Sequence, residues 1–393
     1  SLVMVGPFGM RPRSTMRVRA LPLAKALSRR GYRVTMLLPP WQNPEDAGRV
    51  WVEDGVRVEN VTLPRGLPGW FHYALAVRMA RRTRQLAPDL VHTFKPKAYA
   101  GLGHLMLAGR LPVVVDTDDW EGPGGWNAMG QYPAWMKRFF AWQERWGLKH
   151  ADAVTVASRA LETLTWSMGG PPERVFYLPN GVQPSTAPTR VLESERPTML
   201  LYTRFFEYDL GRLWRIVRSV RAQRPEARLL VVGEGFAGDE EALMALAQEA
   251  GWRTDRSASD VSDADLLYAG WGTEATLSWS FEAADLAIYP FDDTLLNRTK
   301  CPMKLMDLLA AGIPVVADRV GQIGQAVVDG KSGFLVPPED EGAFVQAVLA
   351  LLENPDRRRR MAAEAGADVA RRFGWDQLAE TAVAAYDYAI AVH

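Results

Sequence analysis

Short apolar runs recur along the chain, and the stretches between them carry helical spacing. In the first half the runs fall at 2–5, 32–38, 56–61, 90–94, 112–116 and 153–157. Most are nearly continuous in Val, Leu, Ile, Met and Ala, which predicts strands buried on both faces. Between them, apolar positions of period 3.6 predict helices. One ends near Arg30 with Gly31 as its stop, one covers 71–86, and a long one covers 134–149. The segment 179–197 breaks this rhythm: it is rich in Pro, Ser, Thr and Glu and reads as a linker. The alternation then restarts, with strands predicted at 199–203, 229–232, 266–268, 286–289, 314–317 and 334–336. Helices lie between them and close the chain at 341–353, 356–372 and 376–390. The pattern predicts an α/β protein of two consecutive doubly wound, Rossmann-like parallel-sheet domains. In such sheets ligands sit beyond the carboxyl ends of the strands. Two domains facing one another would direct both sets of strand ends at one cleft.

Composition narrows the class. The 393 residues carry 46 basic and 46 acidic side chains, so no basic excess points to nucleic acid. One cysteine, Cys301, excludes an internal disulfide and a cysteine-rich zinc site, and five scattered histidines lack ligand spacing. No apolar run approaches the ~20 residues that span a bilayer. The opening run at 2–5 is too short for a signal peptide, so a cytoplasmic protein is expected, starting shortly after its natural start. The helix at 71–86 carries Arg78, Arg81, Arg82 and Arg84 beside Phe71, Leu75 and Met79. It reads first as a helix covering the sheet with a solvated basic face. Peripheral contact with an anionic membrane is its alternative.

Three places carry candidate chemistry. The first is the loop and helix at 297–311, where Pro302 suits a first helical turn. Free N–H groups at a helix start favour phosphate, and Arg298, Lys300 and Lys304 add cations there. Asp307, one turn beyond Lys304, suits the two hydroxyls of a ribose; the plain alternative is an exposed Lys304–Asp307 pair. The second is Asp116, Asp118 and Asp119 after the buried run at 112–116, with the Asp119 side chain expected to point away from Asp118. Their plain alternative is capping of the glycine-rich loop that follows. The third is Gly6-Pro7-Phe8-Gly9 after the first strand, where glycine lets backbone approach a ligand. Fourteen tryptophans are many, and several crowd 120–146. Trp135, Phe139, Trp142 and Trp146 follow helical spacing and are expected in the core. Trp120 and Trp126 lie in the loop and suit a wall on which a ligand ring stacks, or an apolar channel.

The run KLMDLLAAGIPVVA from Lys304, followed by VGQIGQAVVDGKSGFLVPPED from Val320, resembles the donor-binding core of the family-4 retaining glycosyltransferases of GT-B fold. Looser resemblance covers YLPNGV from Tyr177, VVGEG from Val231, ADLAIYP from Ala284 and the tail 354–380. The resemblance implies an acceptor domain at 1–184, joined by a returning helix at 376–393, and a donor domain at 185–375. It implies transfer of a sugar from a nucleotide-sugar donor to an unknown acceptor, with retention and with neither metal nor cofactor. By family position, Gly9, Arg204, Gly235, Gly270, Trp271, Asn297, Lys300, Lys304 and Asp307 would bind the donor. Phe8, Trp120 and Trp126 would meet the acceptor, and Asp118, with Asp119 beside it, would be the catalytic carboxylate. Two departures stand out. Thr299 occupies the place of the carboxylate that meets the transferred sugar in many members, leaving Asn297, Asp292 or Asp293 for that task. The lysine expected shortly after Arg204 is missing, and Arg212 is the next cation. A same-fold epimerase or phosphorylase, or a non-catalytic nucleotide-sugar-binding partner, are the alternatives.

Overall fold

The computed structural model describes residues 1–11, 15–66, 68–129, 132–183, 196–256 and 263–393. Among them the chain divides into two compact units. The first comprises Ser1–Gly181, Thr299–Cys301 and Phe373–His393; the second comprises Val182–Arg298 and Pro302–Arg372. Most of the predicted linker, and the expected boundary at 184/185, lie outside the described residues.

The strands of the first unit are β1 (Leu2–Val5), β2 (Val34–Leu38), β3 (Val50–Glu53), β4 (Val56–Asn60), β5 (Leu90–Phe94), β6 (Val113–Thr117), β7 (Ala153–Val156) and β8 (Val175–Tyr177). They pair in the order β3-β4-β2-β1-β5-β6-β7-β8. All are parallel except β3, which runs antiparallel to β4. In the second unit, β9 (Thr198–Tyr202), β10 (Arg228–Val232), β11 (Thr254–Asp255), β12 (Leu266–Tyr268), β13 (Leu286–Tyr289), β14 (Val315–Asp318) and β15 (Gly333–Val336) form a parallel sheet. Its order is β11-β12-β10-β9-β13-β14-β15. Each order steps outward from a central first strand in both directions, which is the doubly wound topology.

Each unit has its own core. In the first, Met4, Met36, Val58 and Phe94 meet Trp375, Leu378 and Tyr386 of the last helix, Trp375–Val392. In the second, Leu201, Leu229 and Ile288 meet Ile216 and Phe344 from the covering helices. The aromatic helix Ala134–His150 departs from expectation. Trp135 is 66% exposed and Trp142 48% exposed, so its aromatic spacing marks an open face rather than core.

Strand register positions the chemistry. Phe94 of β5 lies beside Asp116 of β6, and the Lys95 N–H donates to the Asp116 carbonyl at 2.9 Å. The residues that follow both strands therefore leave the sheet side by side. In the second unit Tyr202 of β9 lies beside Val232 of β10, which makes Thr203 and Gly233 neighbours.

Candidate active site

In the second unit, β9 runs through Thr203 into Arg204. The Arg204 guanidinium lies 4.6 Å from the Phe236 ring centre and 5.0 Å from that of Trp271. Its Nε is buried and has no hydrogen-bond partner among the described residues. Lys304, in the first turn of the helix Met303–Ala310, donates to the Thr203 carbonyl at 2.6 Å. Its ammonium also stands 4.2 Å from the Tyr202 ring centre. Gly233 makes this approach possible. Its φ is +128°, and an added Cβ would stand 1.9 Å from the Thr203 oxygen and 3.4 Å from Lys304 Nζ. Burial pushes the Asp307 carboxyl up to about 6, against the pull of Lys304. Burial and the Asp307 charge likewise push the Tyr202 hydroxyl up. Gly270, at φ +72°, gives its carbonyl to the Gly233 N–H at 2.9 Å. Arg204, Lys304, Asp307, Gly270 and Trp271 are thus brought together, with two cations against exposed aromatic and glycine surface.

Other expected donor residues are occupied. The Gly235 N–H donates to Glu240 Oε2 at 2.9 Å. Asn297 is buried, and its Nδ2 donates to the Glu207 and Asp292 carbonyls at 2.7 and 2.8 Å. It ties the loop together through its amide N–H groups, while its Oδ1 is buried without a partner among the described residues. Asp293 receives Arg298 through both oxygens, at 2.5 and 2.6 Å, and Arg212 grips Asp318 at 2.9 and 2.7 Å. Arg298 and Arg212 therefore serve loop structure.

Lys300 belongs to the first unit. Its ammonium lies 5.6 Å from the Trp126 ring centre, and its charge acts on Asp119. A buried network fixes the neighbouring backbone. Arg19 donates to Asp116 at 2.8 and 2.6 Å, to Asn180 Oδ1 at 2.9 Å and to the Leu178 carbonyl at 2.8 Å. Asn180 Nδ2 in turn donates to the Cys301 carbonyl at 2.6 Å. Asp116 also accepts from the Thr155 hydroxyl at 2.6 Å, so this carboxylate is fully engaged.

Asp118 and Asp119 share one cation. Lys95 Nζ stands 2.8 Å from Asp118 and 2.5 Å from Asp119. This corrects the expectation that Asp119 points away. Lys95 adopts φ +51° and Ala98 φ +48°, and backbone held in this region by non-glycine residues concentrates at functional sites. Burial pushes the Asp118 carboxyl up, with the Asp119 and Asp116 charges adding and Lys95 opposing. For Asp119 burial also acts upward, but Lys95 outweighs it and holds the group low. Lys97 pairs with Glu121 alongside, and Glu144, buried and raised by burial and the Glu121 charge, accepts from the Glu121 N–H at 3.0 Å. Sequence reasoning missed Lys95. The signal was Lys95-Pro96-Lys97 at the carboxyl end of a buried strand, a position where ligands are expected.

Two acceptor assignments are corrected. Phe8 is 4% exposed and Trp120 6% exposed, both within the first unit's core. Trp120 turns inward because its indole N–H donates to the Pro123 carbonyl at 2.9 Å, with Gly122 and Gly125 against its ring. Gly9 is buried behind Pro40, and Trp126 remains partly exposed at the start of the helix Trp126–Met129. Among the described residues no group of three or more His, Cys, Asp or Glu side chains is arranged to hold a metal ion.

Residues 14–181 match the family model described as a glycosyl transferase 4-like domain, and residues 196–354 match that of the glycosyl transferases group 1. The chain belongs to the family-4 type glycosyltransferases of GT-B fold. The 4-like match includes Lys95, Asp118 and Asp119, and the group 1 match includes Arg204, Lys304 and Asp307. A D-inositol 3-phosphate glycosyltransferase of Xylanimonas cellulosilytica is 27% identical over 94% of the chain and 91% of that relative. A glycogen synthase of Mycobacterium tuberculosis is 23% identical, and the chain spans only 60% of that relative's length. Among solved structures, sucrose-phosphate synthase from Thermosynechococcus elongatus superposes with a TM-score of 0.72 at 19% identity, covering 100% of both chains. Anabaena Alr3699/HepE in complex with UDP gives 0.68 at 17% identity, covering 97% of this chain and 98% of that one. At these identities the structural likeness speaks for the fold alone.

Proposed function

We propose that this glycosyltransferase draws its sugar from a nucleoside-diphosphate sugar held by the second unit. The observation that carries the reading is that Arg204 and Lys304 both stand near the Trp271 ring, at 5.0 and 5.7 Å from its centre, with Lys304 beside Gly233. Two fixed cations suit a diphosphate, and they offset the charge that grows on the leaving group. Asp307, ionised above about pH 6, accepts from the ribose hydroxyls. The loop at Gly270 and Trp271 meets the base. That Anabaena Alr3699/HepE has been solved with UDP and with UDP-glucose supports a uridine nucleotide as the first candidate.

On the first unit we assign the acceptor-side chemistry to Asp118, with Asp119 and Lys95 fixing its position. Transfer proceeds with retention and without metal. The two carboxylates of the Asp-x-Asp spacing each face a cation of this chain, Asp116 the Arg19 guanidinium and Asp118 the Lys95 ammonium, and this favours a metal-free reaction. Trp70 and Tyr73, exposed on the basic helix Pro68–Gln85, support peripheral contact with anionic lipid. Sedimentation with vesicles of anionic lipid tests that contact, and no co-sedimentation would remove it. No helix among the described residues is long and apolar enough to cross a membrane.

A thermal-shift series with UDP, GDP and ADP, with and without EDTA, tests the donor reading. One nucleotide should raise the melting temperature in either buffer. Stabilisation by ~2.7 kcal/mol is expected at a hundredfold excess over its dissociation constant. No shift with any of the three contradicts the reading.

A further inference from the structure

The first unit carries a second concave feature, at the open edge of its sheet. A cavity of about 350 Å3 is bounded by residues 9–11 and Arg17 after β1, by the connection from β2 to β3, and by the β3–β4 hairpin. It shares no side chain with the Lys95 group. Its polar lining is unevenly satisfied. Asn60, at the end of β4, is 4% exposed. Its Nδ2 donates to the Asp46 carbonyl at 3.1 Å, yet its Oδ1 is buried with no partner among the described residues. Asn43, another residue of the lining, likewise has a buried Oδ1 without a partner among the described residues. A buried acceptor without a donor costs ~1–3 kcal/mol, so two on one wall call for an occupant that donates. Hydroxyl groups do so.

The charge of the lining narrows the class. Three arginines, Arg11, Arg17 and Arg49, face two carboxylates, Asp46 and Glu53. Asp46 is divided between Arg11 at 3.1 Å and Arg49 at 3.5 Å, and Glu53 is taken by Lys25 at 2.7 Å. That leaves guanidinium donors in excess, and their fork fits phosphate or carboxylate. Trp51 adds an apolar wall, with the Arg49 guanidinium 5.5 Å from its ring centre. The volume lies at the small end of ligand pockets, ~300–1,000 Å3, which suits one ring rather than a nucleotide. We propose that this cavity binds a hexose-sized polyol ring carrying one anionic group. The hydroxyls bond Asn43 and Asn60, the anion meets the arginines, and the ring's C–H face lies on Trp51.

The proposal is independent of the donor reading and is tested without any nucleotide. Titration calorimetry of the full chain would use glucose 6-phosphate, glucuronate, glucose and inorganic phosphate. At least one of the two anionic sugars should bind about tenfold or more tighter than both glucose and phosphate. Arg17→Ala combined with Arg49→Ala should abolish that preference while the melting temperature stays within a few degrees. Both side chains are exposed, so the fold should tolerate their loss. Arg204→Ala, on the other unit, should leave this binding unchanged. Which anionic sugar binds distinguishes phosphate from carboxylate as the natural group. Equal binding of phosphate alone would reduce the cavity to an anion site and overturn the proposal. So would the absence of binding by every probe, or an unaffected double variant.

Discussion

Asp307 lies one helical turn after Lys304, and burial holds its carboxyl near 6 rather than the ordinary 3.8. A folded-state pKa above the unfolded one means that the folded chain gains a proton first as pH falls. The charged carboxylate therefore lowers stability above about pH 6, and the cost vanishes below about pH 4. Asp307→Asn should be more stable than the parent at pH 7, by on the order of 2–3 kcal/mol, and equal to it near pH 4. Urea unfolding at both pH values checks this. An unchanged or lower stability at pH 7 means that the carboxylate is better solvated or paired than its surroundings imply. The Lys95 group makes the opposite demand. Lys95→Met leaves two carboxylates without their cation and should destabilise the fold by ~3–5 kcal/mol. Asp118→Asn should keep the fold and lower turnover ~10²–10³-fold, the effect of losing one preorganised polar group, with nucleotide affinity unchanged. Turnover assays with nucleotide titration separate these outcomes, and a drop in affinity as large as the drop in turnover would remove Asp118 from the chemistry.

At the scale of elements, buried parallel strands were the most legible feature, because continuous apolar runs have few alternative uses. The runs at 90–94, 266–268 and 286–289 coincide with β5, β12 and β13. The missed strand β3 exposes Val50 and Val52 at the sheet edge, so no buried run advertised it. The helix Ala98–Leu107 escaped notice because it is built largely of Ala, Gly and Leu without a polar face. Trp120 and Trp135 exchanged expectations for a related reason: spacing gives a periodicity but not which side of it faces solvent. The Arg204–Lys304 group was legible through the donor-domain motif. Lys95 was not, since its meeting with Asp118 depends on the pairing of β5 with β6. The helix Trp375–Val392 lends itself to a direct test. It places Trp375, Leu378 and Tyr386 in the first unit's core, and its Asp376 pairs with Arg29 at 2.6 Å. The Gly181 position leaves room for the Trp375 ring, since an added Cβ would stand 2.6 Å from it. Removing residues 373–393 should unfold the first unit and leave the second with its nucleotide affinity. Limited proteolysis with mass spectrometry reads which unit survives, and loss of both together would mean that the second unit needs the first.

For the whole molecule, two doubly wound units divide the labour: the second carries fixed cations against glycine and aromatic surface, and the first carries a buried lysine–aspartate group. The relatives named above range from polysaccharide to inositol-phosphate glycosyltransferases by name, so the acceptor is best approached after the donor is known. A donor can be tested without an acceptor, because glycosyltransferases that hold a nucleotide sugar release the nucleotide slowly to water. The decisive measurement is nucleoside diphosphate release from UDP-, GDP- and ADP-linked hexoses in EDTA, by the parent chain and by Arg204→Ala. One donor should be cleaved by the parent, and Arg204→Ala should bind it more weakly by ~1.5–3 kcal/mol with the fold intact. Release from none of the donors, release only when a divalent metal is restored, or equal binding by Arg204→Ala would each contradict a metal-free transfer from a donor gripped by the second unit.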